Sequence, residues 1–427
     1  MANPRLSFMR GNLLVLTITR SLGMFCRGMA FPYASLYILA LGGEPGEIGL
    51  INALSPLAGL LVFPIAGYLS DRAGRVKLIA LAGYLSGAVT LLYVLATGWQ
   101  SIALARFLLG FMVFQFPPTS AIIADSISPE NRGRGMATMN TLSSATAIIA
   151  PYVAGAILDA WGVETGMRVL YGIMMGYNLL SATIHLVFLK ETSPQSSNSI
   201  GLADMGSILK TAYTDILPTL RGLPRSLLAL TGVIILGFMS NGIASSFWVV
   251  YAQEQIQLTS SQWGLILLVE TSLRCGMYVP AGMAVDRWGR AKTILASLAL
   301  ALVSIPTFVF VRGFVTALFV RAVIATATAF FVTACSALMA DTVPRDMRGR
   351  VMAALGRGTV FLGAASGGTG GPGVGFVITI PLMLSSLAGG YLYAANPRLP
   401  WLFVSIALAL SIGLAGMYIR DPQNAEA

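Results

Sequence analysis

Charged residues are what this sequence has least of. Asp, Glu, Lys and Arg make up 10% of its 427 residues while 56% are hydrophobic, and soluble domains carry about 25% charge. That balance excludes a soluble globular chain. Histidine occurs once, as His185, and the three cysteines Cys26, Cys275 and Cys335 sit inside apolar runs without C-x-x-C or other ligand spacing. Metal and cofactor sites are therefore not expected, and the cysteines read as small buried residues. A nucleophile paired with a base and a phosphate-binding loop are also missing, which argues against an enzyme. Acidic residues are outnumbered 17 to 27, for a formal net charge of +10.

What is abundant is apolar sequence in long runs. Mean hydropathy is +0.77, and a run of about 20 apolar residues crosses a hydrocarbon core of about 30 Å as a helix, the one open-ended structure that satisfies its own backbone there. Such runs fall at roughly 13–41, 48–70, 78–97, 101–124, 135–158, 168–189, 227–252, 261–284, 293–311, 314–339 and 399–419, with another between Val351 and Pro381. The fold class expected is an all-α integral membrane protein of twelve transmembrane helices. Of the 27 Lys and Arg, 18 fall at the termini or in loops on one side, against Arg168, Arg312 and Arg398 on the other. By the positive-inside rule the basic side is cytoplasmic, with both termini there and the chain multi-pass in the cell membrane. The location of the charge thus speaks for the lipid bilayer and against a nucleic-acid partner. Arg5 and Arg10 precede the first run without a small-residue cleavage site, so that run reads as a membrane helix and not a signal peptide.

The loops carry an internal duplication. Gly67-Tyr-Leu-Ser-Asp71-Arg72-Ala-Gly74-Arg75-Val-Lys77 recurs 215 residues later as Gly282-Met-Ala-Val-Asp286-Arg287-Trp-Gly289-Arg290-Ala-Lys292. Arg106 and Arg321 are separated by the same distance, and Asp125 with Arg132-Gly-Arg134 matches Asp341 with Arg348-Gly-Arg350 at a constant offset. At these residues the chain resembles the major facilitator superfamily of secondary transporters, whose signature G-x-L-x-D-R-x-G-R-[RK]-x follows the second helix, with a degenerate copy after the eighth. The resemblance implies two pseudo-symmetric six-helix bundles with a substrate cavity between them near mid-membrane. The one long hydrophilic connection divides the chain into an N-terminal bundle (1–190), a linker (191–225) and a C-terminal bundle (226–427). Ser366-Gly-Gly-Thr-Gly-Gly371-Pro372-Gly-Val-Gly375 interrupts the eleventh run. Glycine at about 1 and proline at about 3 kcal/mol relative to alanine rule out an ordinary helix there; either the helix is broken or a loop has been inserted. Pairing Pro372 with Pro151 would shrink the insertion.

The family resemblance implies a conformational latch at the signature loops, Gly67, Asp71, Arg72, Gly74 and Arg75 in one copy and Gly282, Asp286, Arg287, Gly289 and Arg290 in the other. Gly67 and Gly282 would allow close helix approach, and Asp71 and Asp286 would meet arginines and helix N-termini of the opposite half. Asp125, Arg132, Arg134, Asp341, Arg348 and Arg350 would form inter-loop salt bridges that make and break. Arg106, in Arg106-Phe-Leu-Leu-Gly110, looks like the family's fourth-helix R-x-x-x-G motif, associated with proton coupling; a structural role, shared with Arg321, is the alternative. The fifth-helix antiporter motif G-x-x-x-G-P-x-x-G-G is only approximated by Ala147-Ile-Ile-Ala150-Pro151-Tyr-Val-Ala154-Gly155.

Ionisable residues inside a membrane are costly and point to function. Glu270 is the only carboxylate well inside an apolar run and shares a helix face with Arg274, four residues on. It is the expected proton-coupling group, with a self-neutralising structural pair as the bland alternative. Arg27 and Arg357 add further cations, and Tyr33, Gln115 and Asn241, with Asn140, Asn178 and Trp248, could complete a cavity site. The expectation is a monomeric secondary transporter of a small organic solute by alternating access, with protons as coupling ion and drug-like or metabolite efflux slightly ahead. Transport of an organic anion through the cavity arginines is the close alternative. A non-transporting receptor or sensor on the same fold is the third; a cytoplasmic partner without solute flux would distinguish it.

Overall fold

The structure, a computed structural model, describes residues 9–72, 74–192, 224–343, 360–365 and 376–421. Among these, twelve helical crossings follow one another: α1 Asn12–Ala40, α2 Pro45–Arg72, α3 Arg75–Val94, α4 Trp99–Asp125, α5 Pro129–Trp161, α6 Val163–Phe188, α7 Arg225–Glu254, α8 Ser260–Trp288, α9 Arg290–Phe310, α10 Phe314–Thr342, α11 Phe376–Ala395 and α12 Leu399–Tyr418. Ten are long and apolar enough to span a membrane by composition alone. The remaining two, α2 and α8, hold the signature loops' first charges, and α8 also holds Glu270 and Arg274.

Four crossings are interrupted. In α1 a 3-10 turn covers Phe31–Tyr33, where Pro32 withholds a backbone donor. A 3-10 turn at Met112–Gln115 precedes the Pro117-Pro118 pair of α4, Ile148 and Ile149 leave the helix ahead of Pro151 in α5, and residues 245–247 do so in α7.

The two halves repeat one packing scheme. Within the first half α1 packs on α5 and α6, α2 on α4, and α3 on α6; within the second, α7 packs on α11 and α12, α8 on α10, and α9 on α12. Each half also ties the N-terminus of its third helix in the same way. Glu191 accepts from the Val76 amide (3.1 Å), and Asp421 accepts from the Arg290 (2.7 Å) and Ala291 (3.0 Å) amides. Carboxylates are favoured at helix N-termini because the unsatisfied amides and the dipole point at them. Gly74 and Gly289 are the residues before these helices, and Gly289, at φ +91°, lets Asp421 come close.

Between halves the main contacts are α2 with α11 and α5 with α8. They concentrate at the end opposite the basic loops, hereafter the far side. A Cβ on Gly155 of α5 would overlap Ser260 and Ser261 of α8, one on Gly264 of α8 would overlap Pro151 and Tyr33, and one on Gly49 or Gly390 would strike the α2–α11 partner backbone. Toward the basic side the same faces part. The first section of α5, Arg132–Ala147, packs on α1, leaving Ala137, Asn140, Thr141 and Ser144 exposed; Ser272, Cys275, Gly276 and Val279 of α8 are exposed as well. Helical periodicity puts Gly264, Cys275 and Val279 on one face of α8, so the face that touches α5 at the far side lines an open gap further down.

Candidate functional site

The densest polar constellation inside the membrane region is built on α8. Glu270, 5% exposed, accepts from Arg274 one turn on (Nη1 to Oε1, 3.3 Å). It also receives Arg321 of α10, whose Nε lies 3.0 Å and Nη2 2.5 Å from Oε2. The Arg321 side chain is wholly buried, and its remaining nitrogen donates to the Gly363 carbonyl at 2.9 Å. Its guanidinium stands 4.4 Å from the centre of the Trp248 ring and 6.0 Å from that of Trp263. A desolvated ion pair needs good geometry and further hydrogen bonds to survive, and here each of the three Arg321 nitrogens donates once, two to Glu270 Oε2 and one to the Gly363 carbonyl. Arg274 completes the cluster at its edge, over the Phe361 ring at 5.0 Å.

The cluster also holds a stretch of non-helical backbone. Residues 360–365 carry no helix, with Gly363 at φ +61°. The Phe361 carbonyl accepts from Asn241 of α7 (2.8 Å), the Leu362 carbonyl from Thr328 of α10 (2.9 Å) and the Gly363 carbonyl from Arg321. The Ala364 amide donates to Asn241 (3.2 Å). Irregular backbone at membrane depth is tolerated where protein groups satisfy it. Ahead of α11 the described residues 360–365 are non-helical; the Gly-rich residues 366–375, where the sequence predicts a broken helix or an inserted loop, lie outside the described residues.

The sequence-derived candidates separate accordingly. Glu270 and Arg274 meet, joined by Arg321, and Asn241 reaches the cluster only through the 361–364 backbone that Arg321 also holds. Tyr33 does not line a cavity: it is fully buried, and its hydroxyl hydrogen is shared between the Pro151 (2.8 Å) and Ser260 (3.0 Å) carbonyls at the far-side seam. Gln115 turns back on the Met112 carbonyl (3.1 Å) inside its own 3-10 turn. Arg27 is half-buried beside Gly23 and the Tyr177 hydroxyl, away from the α8 cluster. Arg106 is 5.6 Å from the Phe31 ring and shares a small cavity with Ser35, Asn52, Tyr93 and Tyr171. Its counterpart Arg321 is the one beside the acid. At the position in α2 that corresponds to Glu270 the first half carries Ser55, and at that of Arg274 it carries Gly59. Arg357 lies outside the described residues. His185 is tied to Thr19 through its Nε2 (2.9 Å).

Among the described residues, the loop ion pairs that join the duplicated aspartates lie within each half. Arg75 pairs with Asp125 (2.6 Å) and Arg290 with Asp341 (2.9 Å), so the duplicated aspartate ties the signature loop to the end of the fourth helix of its own bundle. Gly282 is not a close-approach glycine, since a Cβ there would meet open space. Asp286 and Arg287 are exposed and, among the described residues, form no ion pair. Arg132 and Arg134 are exposed at the start of α5. Gly67 lies within α2, while the side chains of Asp71 and Arg72, together with Arg348 and Arg350, lie outside the described residues.

Two groups were not among the candidates. Asp159, near the end of α5, accepts from the Ser260 (2.9 Å) and Ser261 (2.8 Å) amides of α8, and Asn52 of α2 donates to Ser246 of α7 (2.8 Å). The Thr259-Ser-Ser-Gln262 capping box, a recognisable helix start, was the available signal for the first.

A twelve-helix, duplicated bundle with a buried charge cluster beside a one-sided gap defines a membrane transporter fold. The family model of the Major Facilitator Superfamily matches residues 16–269 and 229–427, and the chain belongs to that family. An uncharacterised MFS-type transporter of Methanocaldococcus jannaschii is 22% identical over 417 residues, 96% of this chain and 94% of that protein. The multidrug resistance protein MdtG of Serratia proteamaculans is 30% identical over 199 residues, covering 44% of this chain and 46% of that protein, so this likeness spans less than half of either. Among solved structures, the nucleoside transporter NupG superposes with a TM-score of 0.67 at 14% identity (95% of this chain, 98% of that one). A bacterial homologue of the iron transporter ferroportin, in an inward-facing state, reaches 0.69 at 14% identity (94% and 97%). These structures carry the fold.

Proposed function

We propose that this protein is a proton-coupled secondary transporter that exports a small organic solute across the cell membrane by alternating access, its basic loops and both termini on the cytoplasmic side. The observation that supports it is the position of Glu270, a buried carboxylate holding two arginines beside the gap between halves. A proton placed on Glu270 removes the charge that binds Arg321 and Arg274, so loading it changes contacts in three elements together. The partial likeness to MdtG proteins supports a drug-like or metabolite solute. In this reading the signature loops act as the basic-side latch once the gap closes. Arg106 serves proton coupling from its own cavity, and Arg27 and Arg274 face the solute.

The test is transport in liposomes under an imposed pH gradient. Glu270→Gln is expected to lose gradient-driven flux and to keep solute exchange in the absence of a gradient. Full gradient-driven transport by that variant would sink the coupling role. A second reading, carriage of an organic anion, is favoured by the charge of the cluster itself, two guanidinium groups to one carboxylate. Fixed positive charge in a low-dielectric site selects anions.

A further inference from the structure

The seam at the far side contains a carboxylate with no counterpart among the signature motifs. Asp159 belongs to α5 of the first half, yet both its oxygens are taken by α8 of the second. The N-terminus of α8 needs it. The Gln262 amide is satisfied by the Thr259 side chain and the Trp263 amide by the Thr259 carbonyl, which leaves the Ser260 and Ser261 amides for a foreign acceptor. Tyr33 seals the same point by spanning the Pro151 and Ser260 carbonyls, one from each half. Glycine at 155 and 264 permits the approach, since any Cβ there would strike main-chain atoms across the seam.

We infer that Asp159, with Tyr33, is the far-side gate: it caps α8 across the halves when the gap is open on the basic side, and lets go when the far side opens. The bonds fit a reversible latch. Charge-assisted hydrogen bonds to backbone amides are strong in the closed, partly dehydrated seam. Asp159 itself is exposed at its outer edge, so on separation water can take over both the carboxylate and the two amides. The inference rests on alternating access and on no particular solute or coupling ion.

Native Cys275 provides the readout, because it is exposed on the α8 face lining the gap whereas Cys26 and Cys335 are buried. In purified protein, Asp159→Asn and the milder Tyr33→Phe are compared with the unsubstituted chain for the rate of Cys275 modification by a bulky, charged maleimide. Spin labels at Ala160→Cys and Arg312→Cys, exposed far-side positions in opposite halves, report the seam directly in a Cys275→Ser background. Weakening the gate is expected to shift the population toward the far-side-open form. Cys275 labelling should slow, and the label pair should gain a longer-distance component. Unchanged labelling and unchanged distances in both variants, each with a cooperative melting transition, would overturn the inference. No flux measurement enters, so the result stands apart from the fate of the proton-coupled export reading.

Discussion

At the residue scale the molecule turns on Arg321. Its charge is fully desolvated and stays inside because Glu270, Gly363 and the Trp248 ring occupy every side of it. Arg321→Ala leaves the buried Glu270 carboxylate with Arg274 alone, and breaking a buried pair from one side costs about 3–5 kcal/mol. A marked fall in melting temperature is expected for that variant, with most of it recovered in Glu270→Gln/Arg321→Met; a double-mutant cycle in denaturant measures the coupling. Gly363→Ala places a side chain at φ +61° and within 3.2 Å of the Ile305 and Ile324 methyl groups, and a non-glycine residue held there costs about 1–3 kcal/mol. The expected result is a lower melting temperature without loss of fold. Sequence reading found Glu270 and Arg274 because four residues on a helix are neighbours by geometry alone. It matched Arg321 to Arg106 by the repeat and missed its acid, since a contact between α8 and α10 across 51 residues leaves no periodic trace.

At the element scale the helices were legible and their breaks were not. Apolar runs gave the boundaries of eleven helices to within about six residues, because the bilayer imposes length and composition together; the eleventh helix, expected between Val351 and Pro381, lies instead at Phe376–Ala395. The interruptions at Met112–Gln115 and Ile148–Ile149 sit in sequence as apolar as the helix around them, while 245–247 is marked only by Ser245 and Ser246. The antiporter-like Pro151 and Gly155 of α5 find their physical role in the seam with α8. Gly155→Val is expected to hold the two helices apart at the far side, because β-branched bulk has no room against the Ser260 carbonyl. Maleimide labelling of Cys275 checks this: the variant should be protected relative to the unsubstituted chain.

At the scale of the whole molecule two copies of one bundle have diverged in charge. Both keep the arginine of the fourth helix and the aspartate pairing with the signature loop, whereas the acid opposite that arginine exists in the second half and is Ser55 in the first. The duplication was readable from spacing; which half bears the acid's partner required three dimensions. Binding to the folded state raises stability by about 2.7 kcal/mol at a hundred times Kd, so a melting-temperature screen of lipophilic cations against organic anions decides between the two transport readings. Under the export reading cations or neutral solutes stabilise the protein; a gain indifferent to both Arg27→Gln and Arg274→Gln would make those arginines structural. Anion hits abolished by either substitution would favour the anion reading.

The far-side closure is made largely with main-chain atoms: the amides of Ser260 and Ser261, the carbonyls of Pro151 and Ser260. Main-chain atoms are the same whatever residue carries them. Across natural variants of this chain, positions 260 and 261 should therefore drift freely among small residues, while Asp159, Tyr33, Gly155 and Gly264, which supply the acceptor, the bridge and the room, should hardly change at all.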